Sequence, residues 1–194
     1  TDRYETSPNS LDIAIAAGTA TGLTEDVVLE SVADRATVTL NYDSYTDAAG
    51  NVVNSVITGD ILSAYAGQVD ITPKNDGARI DITGNLLAGN NGVLNVNLGN
   101  GHTTFFDPAF SSEIFKGGEV NLTMGDNSRW NVTGQSWITR INTEGSSNAI
   151  IDLVSANTDR NASAHALTIY EMNGDAVFNM SLDADRTLSD MVYM

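Results

Sequence analysis

The sequence predicts an all-β protein, a right-handed parallel β-helix whose solenoid coils hold about 25 residues each and end in a β-rich C-terminal cap. Three observations support this fold class: short segments of alternating apolar and polar residues, Gly and Asn between those segments, and an internal repeat. Amphipathic helical spacing is almost absent. The 194 residues are enough to bury the core of one such domain.

Six segments alternate apolar and polar residues with a period of two and end in turn-forming residues, which predicts half-buried strands. They are LDIAIA (11–16), ATVTLNY (36–42), GQVDITP (67–73), ARIDITG (78–84), GVLNVNLG (92–99) and GEVNLTMG (118–125). One further segment, LTEDVVLESVADR (23–35), fits either a helix or a strand. Its valines favour the strand.

An internal repeat with an offset of about 25 residues connects the central segments. ITGDILSAYAGQVDITP (57–73) aligns without gaps on ITGNLLAGNNGVLNVNL (82–98), so that the two Ile-Thr-Gly triplets coincide. Two periods later, VTG (132–134) is predicted to fall in the same phase. GGEVNLTMG (117–125) is predicted to occupy the strand phase of the turn between them.

Stacking of such coils would supply the core, because a single coil cannot bury its own apolar side. We expect asparagines to adopt the left-handed conformation at the corners between sheets, namely Asn90, Asn91 and Asn100. The positions predicted to point inward are Val69, Ile71, Ile80, Ile82, Leu94, Val96, Leu98, Val120 and Leu122.

Composition excludes several classes of partner. The chain has 9 Lys and Arg against 25 Asp and Glu, a net charge of −16 that repels nucleic acid and anionic membrane surfaces. No stretch is apolar enough to span a membrane, and the N-terminal TDRYETSPNS lacks the layout of a signal peptide. We therefore expect a chain that is soluble as made or a mature piece of a longer protein. The absence of cysteine excludes disulfides and thiolate metal sites and is typical of exported bacterial surface proteins.

The last third of the chain carries a series of spaced residues within WNVTGQSWITRIN (130–142) and the strand-like segments after it. They are Trp130, Val132, Thr133, Gly134, Ser136, Leu167, Thr168, Ile169, Met172, Gly174, Phe178, Met180, Asp183, Ser189 and Asp190. This series resembles the C-terminal end of bacterial autotransporter passengers, the pertactin-like β-helix with its autochaperone segment. The departures are Asp175-Ala176 where a second glycine is common, Trp137 at a position that is often smaller, and Met191 in place of a frequent leucine.

The resemblance implies a division into β-helix coils over residues 1–129 and an autochaperone or cap region over residues 130–194. It implies that this last region promotes folding and translocation across the outer membrane, with the protein's own C-terminal outer-membrane β-barrel, outside this chain, as its partner. The resemblance also implies export through the periplasm to the cell surface or into the medium. Large aromatic side chains could cover the exposed end of the stacked coils, although ordinary core packing would also explain these residues. The candidate folding and cap residues are Trp130, Val132, Gly134, Trp137, Leu167, Ile169, Tyr170, Gly174, Phe178 and Tyr193.

The chemical inventory does not predict an enzyme, and no catalytic residue is assigned. His102 and His165 lie among polar residues with no Ser or Cys nucleophile motif nearby. Asp60, Asp70 and Asp81 could project outward at matching coil positions, as acids do in polysaccharide-active β-helices. With 25 acids on the chain, chance alignment explains such a match.

Two segments, KNDGAR (74–79) and GDNS (125–128), carry Asp and Asn without the spacing of a calcium loop. Turn chemistry explains both, so no metal and no cofactor is predicted. A longer segment, NYDSYTDAAGNVVN (41–54), predicts a protruding hairpin. Within it, Tyr42, Tyr45 and Asn51 are candidate binding residues; an exposed insertion without a role fits the same pattern.

Three functions of different classes remain open at this point. The favoured function is an adhesin or self-association protein that binds a host-surface ligand or another copy of itself. The alternative is the non-catalytic stalk of a secreted autotransporter protease or esterase whose catalytic domain precedes Thr1. A polysaccharide-active β-helix enzyme is the third and least supported function.

Overall fold

A computed structural model describes residues 10–16, 19–21, 27–31, 37–100, 108–143, 145–146, 148–154, 166–182 and 189–194. Every regular element in these ranges is a β-strand, which confirms the predicted all-β class. None of the described segments forms a helix that is long and apolar enough to cross a membrane. The segment at 23–35 contains a strand over Val27–Ser31, as its valines predict.

The first sheet has eight strands, each parallel to its neighbours. In spatial order they are β1 (Ser10–Ala16), β4 (Thr37–Asp43), β9 (Gln68–Pro73), β11 (Val93–Asn97), β13 (Glu119–Thr123), β15 (Ser136–Asn142), β17 (Ala166–Asn173) and β19 (Met191–Tyr193). This spatial order follows the order of the strands along the chain.

The second sheet has nine strands, and its pairings are also parallel. The strands are β2 (Thr19–Thr21), β3 (Val27–Ser31), β7 (Ser55–Thr58), β8 (Asp60–Ala64), β10 (Ile80–Gly89), β12 (Ala109–Phe115), β14 (Arg129–Val132), β16 (Ile150–Asp152) and β18 (Val177–Asn179). The long strand β10 pairs with both β7 and β8, which in turn pair with β2 and β3. The predicted division between residues 129 and 130 falls inside β14.

The chain alternates strictly between the two sheets from β9 onward, and each new strand pairs with the preceding strand of its own sheet. Ile82 lies beside Ile57 and Leu87 beside Leu62, so the 25-residue offset of the sequence repeat is the register of the strands. The segment at 117–125 also forms a strand in the expected place, because β13 pairs with β11, here at an offset of 26 residues.

The offset is not constant, and this makes one predicted alignment wrong. Val132 pairs with Phe110, which pairs with Gly84, so VTG (132–134) lies two residues out of phase with ITG (82–84). The offset in sequence between paired residues of β12 and β14 is shorter than the repeat length. The offset between neighbouring strands varies more widely elsewhere, from 19 residues between Val120 and Thr139 to 31 between Arg140 and Glu171.

The core is one cluster of apolar side chains contributed by both sheets. In the central strands every second residue is buried, because successive side chains of a strand point to opposite faces. All nine predicted inward positions are buried: Val69, Ile71, Ile80, Ile82, Leu94, Val96, Leu98, Val120 and Leu122.

Corners between the sheets require left-handed backbone at matching levels. Asn90 and Asn91 have φ of 51° and 62°, as predicted from their residue type, and Tyr65 has φ of 54° one level earlier. The prediction for Asn100 is wrong, because the left-handed position at that corner belongs to Gly99, with φ of 77°. Glycine has no Cβ and adopts this conformation without steric strain, so Asn100 is not needed for it.

The Ile-Thr-Gly repeat marks a place where two neighbouring strands bend together. Gly84 has φ of 151°, and a Cβ added to it would lie 2.3 Å from the carbonyl oxygen of Gly59, the glycine of the previous repeat. The amide of Gly59 donates to the carbonyl of Thr83 at 2.8 Å, which holds the two bends against each other. Only glycine fits this close approach with this backbone conformation.

Replacing Gly84 with alanine is therefore expected to lower the free energy of unfolding by about 1–3 kcal/mol, through backbone strain and the clash with Gly59. The matched control is Gly134→Ala, because a Cβ there would meet only Ser111 Cβ at 3.6 Å, an ordinary contact. Urea denaturation of both variants tests the difference. Equal losses of stability in the two variants would contradict this account of the repeat.

Candidate functional site

The outer face is defined here as the side of the first sheet that points away from the core, and it carries a ladder of polar side chains. Asn121 Nδ2 donates to Asn95 Oδ1 at 2.9 Å, and Asn95 Nδ2 donates to Asp70 Oδ1 at 2.7 Å. Gln68 Nε2 donates to both oxygens of Asp70, at 2.9 and 2.7 Å. The amides thus align in one direction across neighbouring strands and end on a carboxylate, an arrangement that strengthens each hydrogen bond.

A second ladder of the same kind lies on the second sheet. The side-chain and backbone amides of Asn85 donate to Asp60 Oδ1 at 2.7 and 2.9 Å, and Ser111 Oγ donates to Asn85 Oδ1. Nearby, Asn54 Nδ2 donates to Asp81 Oδ2 at 2.9 Å. The sequence contains a signal for both ladders. Asp60, Asn85 and Ser111 recur at nearly the repeat offset, and so do Asp70, Asn95 and Asn121.

The three candidate acids of the sequence are not brought together. Asp70 lies on the first sheet, whereas Asp60 and Asp81 lie on the second. Asp70 and Asp60 each accept a hydrogen bond from an asparagine amide of a neighbouring strand, and Asp81 accepts one from Asn54, the residue before β7. These hydrogen bonds stabilise the register of the strands.

Asn95→Asp is expected to reduce the free energy of unfolding by about 1–3 kcal/mol at neutral pH, because a donor is lost and two carboxylates become neighbours. Lowering the pH toward about 4 should recover part of this loss, since one carboxyl can then hold a proton and donate it to the other. Asn95→Ala loses both the donation to Asp70 and the hydrogen bond accepted from Asn121 without adding charge, so its loss should not be recovered at low pH. Denaturation of both variants across pH tests this, and identical pH dependence would contradict it.

The Trp-x-Val-Thr-Gly-x-Ser motif forms the crossing from the second sheet to the first. Trp130 is fully buried, its ring stacks on Phe110 with centroids 5.0 Å apart, and its Nε1 donates to the Phe110 carbonyl at 2.9 Å. Ser136 Oγ accepts the amide of Ser112 at 3.2 Å, and Ser112 Oγ donates to the Trp137 carbonyl at 2.8 Å. The motif therefore fixes one corner of the core, with Val132 also buried and Gly134 in the connection.

The other candidate cap residues separate into an inner and an outer group. Leu167 and Ile169 are buried, Gly174 turns the chain with φ of 90°, and Phe178 packs in part against the core from the last strand of the second sheet. Trp137, Tyr170 and Tyr193 are exposed instead. Trp130 therefore belongs to the core, whereas these three rings lie on the surface. Their role in folding stays a prediction.

The exposed rings share the C-terminal part of the outer face. Trp137, Thr168 and Tyr193 are paired residues on the neighbouring strands β15, β17 and β19. Beside them Arg140 Nη2 donates to Glu171 Oε2 at 2.8 Å. This hydrogen bond holds the pKa of Glu171 below its usual range and raises that of Arg140. The sequence does not predict this ion pair, because the register that joins Arg140 to Glu171 depends on an offset of 31 residues.

The predicted hairpin is present as β5 (Tyr45–Thr46) and β6 (Val52–Val53), an antiparallel pair that stands apart from both sheets. Tyr45 and Asn51 are exposed there. Asp47 accepts the backbone amides of Ala49 and Asn51 at 2.9 and 2.8 Å. The hydrogen bonds from Asn51 are the main cause that lowers the pKa of Asp47.

The choice of Tyr42 as a binding residue is wrong. Tyr42 belongs to β4 and is fully buried, and its hydroxyl donates to the Asn97 carbonyl at 2.7 Å. Burial raises the pKa of this phenol. The period-two pattern of β4 places Tyr42 inward with Val38 and Leu40, and this pattern decides the position of its side chain.

The segments at 74–79 and 125–128 both form turns and meet at one open cleft of about 260 Å³. Asn75 and Asp76 line it from one turn, and Gly125 and Asp126 from the other. Within the described ranges, no group of three or more His, Cys, Asp or Glu side chains is placed to hold a metal ion. His102 and His165 lie outside the described residues.

No protein-family model, curated protein sequence or solved structure matches this chain.

The two tryptophans provide a matched pair for stability. Trp130→Ala is expected to lower the free energy of unfolding by about 3–5 kcal/mol, because it removes a buried ring and its stacking on Phe110. Trp137→Ala should lower it by about 1 kcal/mol or less, because this side chain lies on the surface. Urea denaturation followed by circular dichroism measures both. A Trp137 effect as large as that of Trp130 would contradict the placement.

Proposed function

We propose that the chain is the C-terminal part of a bacterial autotransporter passenger, folded as a right-handed parallel β-helix. After export through the periplasm the passenger is displayed on the cell surface or released, and it acts by adhesion to a host-surface ligand or to other cells. Its role is binding rather than catalysis. Its intramolecular partner is an outer-membrane barrel encoded C-terminal to this chain.

The single observation that carries the proposal is the stepwise alternation of parallel strands between two sheets. Each strand from β9 to β19 pairs with the preceding strand of its own sheet, so the chain advances by one level at each return. A parallel β-helix advances in this way, with short turns at the corners and one continuous core. The left-handed corners at Asn90 and Asn91 and the common core cluster fit the same architecture.

An adhesive role is supported by the outer face. Its ladder of Gln68, Asp70, Asn95 and Asn121 presents amides and carboxylates over several strands, a surface suited to binding through many weak hydrogen bonds. The net charge of −16 limits the partners to neutral or cationic surfaces, and it opposes tight self-association.

A folding role for residues 130–194 is supported by the packing of its first strand. β14 places Trp130 on Phe110, and β15 is tied to β12 through Ser112 and Ser136. A stack that begins to fold at its C-terminal end can extend by pairing each new strand with the last, so a stable final segment templates the rest. In secretion this end would emerge first.

The test is surface display of the whole passenger together with its barrel, scored as protease-resistant passenger outside the cell. Trp130→Ala should stall or be degraded at the surface, whereas Trp137→Ala should be displayed as wild type, because only Trp130 is part of the core. Trp130→Phe is a second control, since it keeps an aromatic ring against Phe110. Normal display and protease resistance of Trp130→Ala would overturn the folding role.

A further inference from the structure

The exposed rings of the outer face form a compact group, called here the aromatic platform, consisting of Trp137, Tyr170 and Tyr193. The three residues are 36%, 67% and 52% exposed, and each belongs to a regular strand of the first sheet. Large rings exposed together on a sheet mark a binding surface more often than single exposed residues do. None of the three rings belongs to the core cluster described above.

The strand register fixes the spacing of the platform. Trp137 and Tyr193 flank Thr168 on the neighbouring strands, so the two rings start from backbone positions roughly 10 Å apart. Tyr170 lies two residues along β17 from Thr168, roughly 6–7 Å away. The three residues therefore start from backbone positions within about 10 Å of Thr168.

Hydrogen-bonding groups lie between and beside the rings. Thr168 carries a hydroxyl between Trp137 and Tyr193, Tyr170 carries a phenolic hydroxyl, and the hydroxyl of Tyr193 donates to Met191 Sδ at 3.1 Å. Arg140 and Glu171 form an exposed ion pair three residues farther along β15 and β17 than Trp137 and Thr168. Aromatic faces with polar groups at their edges match the chemistry of a sugar ring, which has apolar C–H faces and hydroxyl groups around its rim.

We propose that the aromatic platform binds a neutral polysaccharide chain, with sugar rings stacked on Trp137, Tyr170 and Tyr193 and hydroxyl groups bound to Thr168 and Glu171. A neutral ligand is favoured because the chain carries a net charge of −16, which repels acidic glycans and also a second copy of this protein. The inference deepens the adhesive function proposed above, since it names the ligand class at one surface.

The test uses the purified 194-residue chain and a panel of immobilised neutral polysaccharides, with sulfated and sialylated glycans for comparison. At least one neutral polysaccharide should bind, and the acidic glycans should not. Trp137→Ala/Tyr170→Ala should weaken binding by about tenfold, because each of the two stacked rings contributes a factor of several. Tyr65→Ala is the matched control: Tyr65 is 61% exposed at a corner outside the platform, and its loss should leave binding unchanged.

The tryptophans give an independent readout on the folded protein. Trp137 is exposed and Trp130 is fully buried, so acrylamide quenching of tryptophan fluorescence reports mainly on Trp137. A bound polysaccharide should protect it from quenching. Circular dichroism checks that each variant is folded, and where the double variant does not fold, Tyr193→Ala alone replaces it.

Three results would overturn the proposal. They are no binding to any neutral polysaccharide of the panel, binding that the folded platform variants retain, and concentration-dependent dimerisation that Trp137→Ala abolishes without any glycan binding. The last result would identify the platform as an interface between copies. Binding to purified protein does not depend on secretion, so a failure in the display experiment and a failure here are distinguishable.

Discussion

In-register pairing of parallel strands is the interaction on which the rest of this structure depends. Each strand is short, and alone it would leave its apolar side chains in water, so its stability comes from the strands before and after it. Register places like residues beside like residues, as with Ile57 and Ile82 in the core. A shift of one residue would move every buried side chain of a strand to the outer surface.

The polar ladders are a second consequence of the same register. Asn95 can donate to Asp70 and accept from Asn121 only because the three side chains lie at one level on adjacent strands. A ladder that ends on a carboxylate favours the correct register over a slipped one, since a slip would separate the amides from Asp70. The acids of this region thus act within the fold, and the same polar surface serves the proposed adhesion.

Aromatic residues show how one residue type takes different roles according to the strand face. Trp130 points inward and stacks on Phe110, and Tyr42 points inward with its hydroxyl bonded to a carbonyl. Trp137 and Tyr170 point outward and are exposed. Folding of the proposed passenger depends on the first group, and recognition of the proposed ligand on the second. The period-two alternation of each strand makes this separation.

The all-β class, the central strands, the 25-residue offset and the nine inward positions could be predicted from the amino-acid sequence, because all of these are local patterns with a fixed period. The residues that meet across unequal offsets, such as Arg140 with Glu171, could be found only in the folded chain. The tertiary structure also decided that Asp60 and Asp70 lie on different sheets and that Trp137 faces outward. The physical reason is that variable corner lengths change the register between strands without leaving a periodic signal in the sequence.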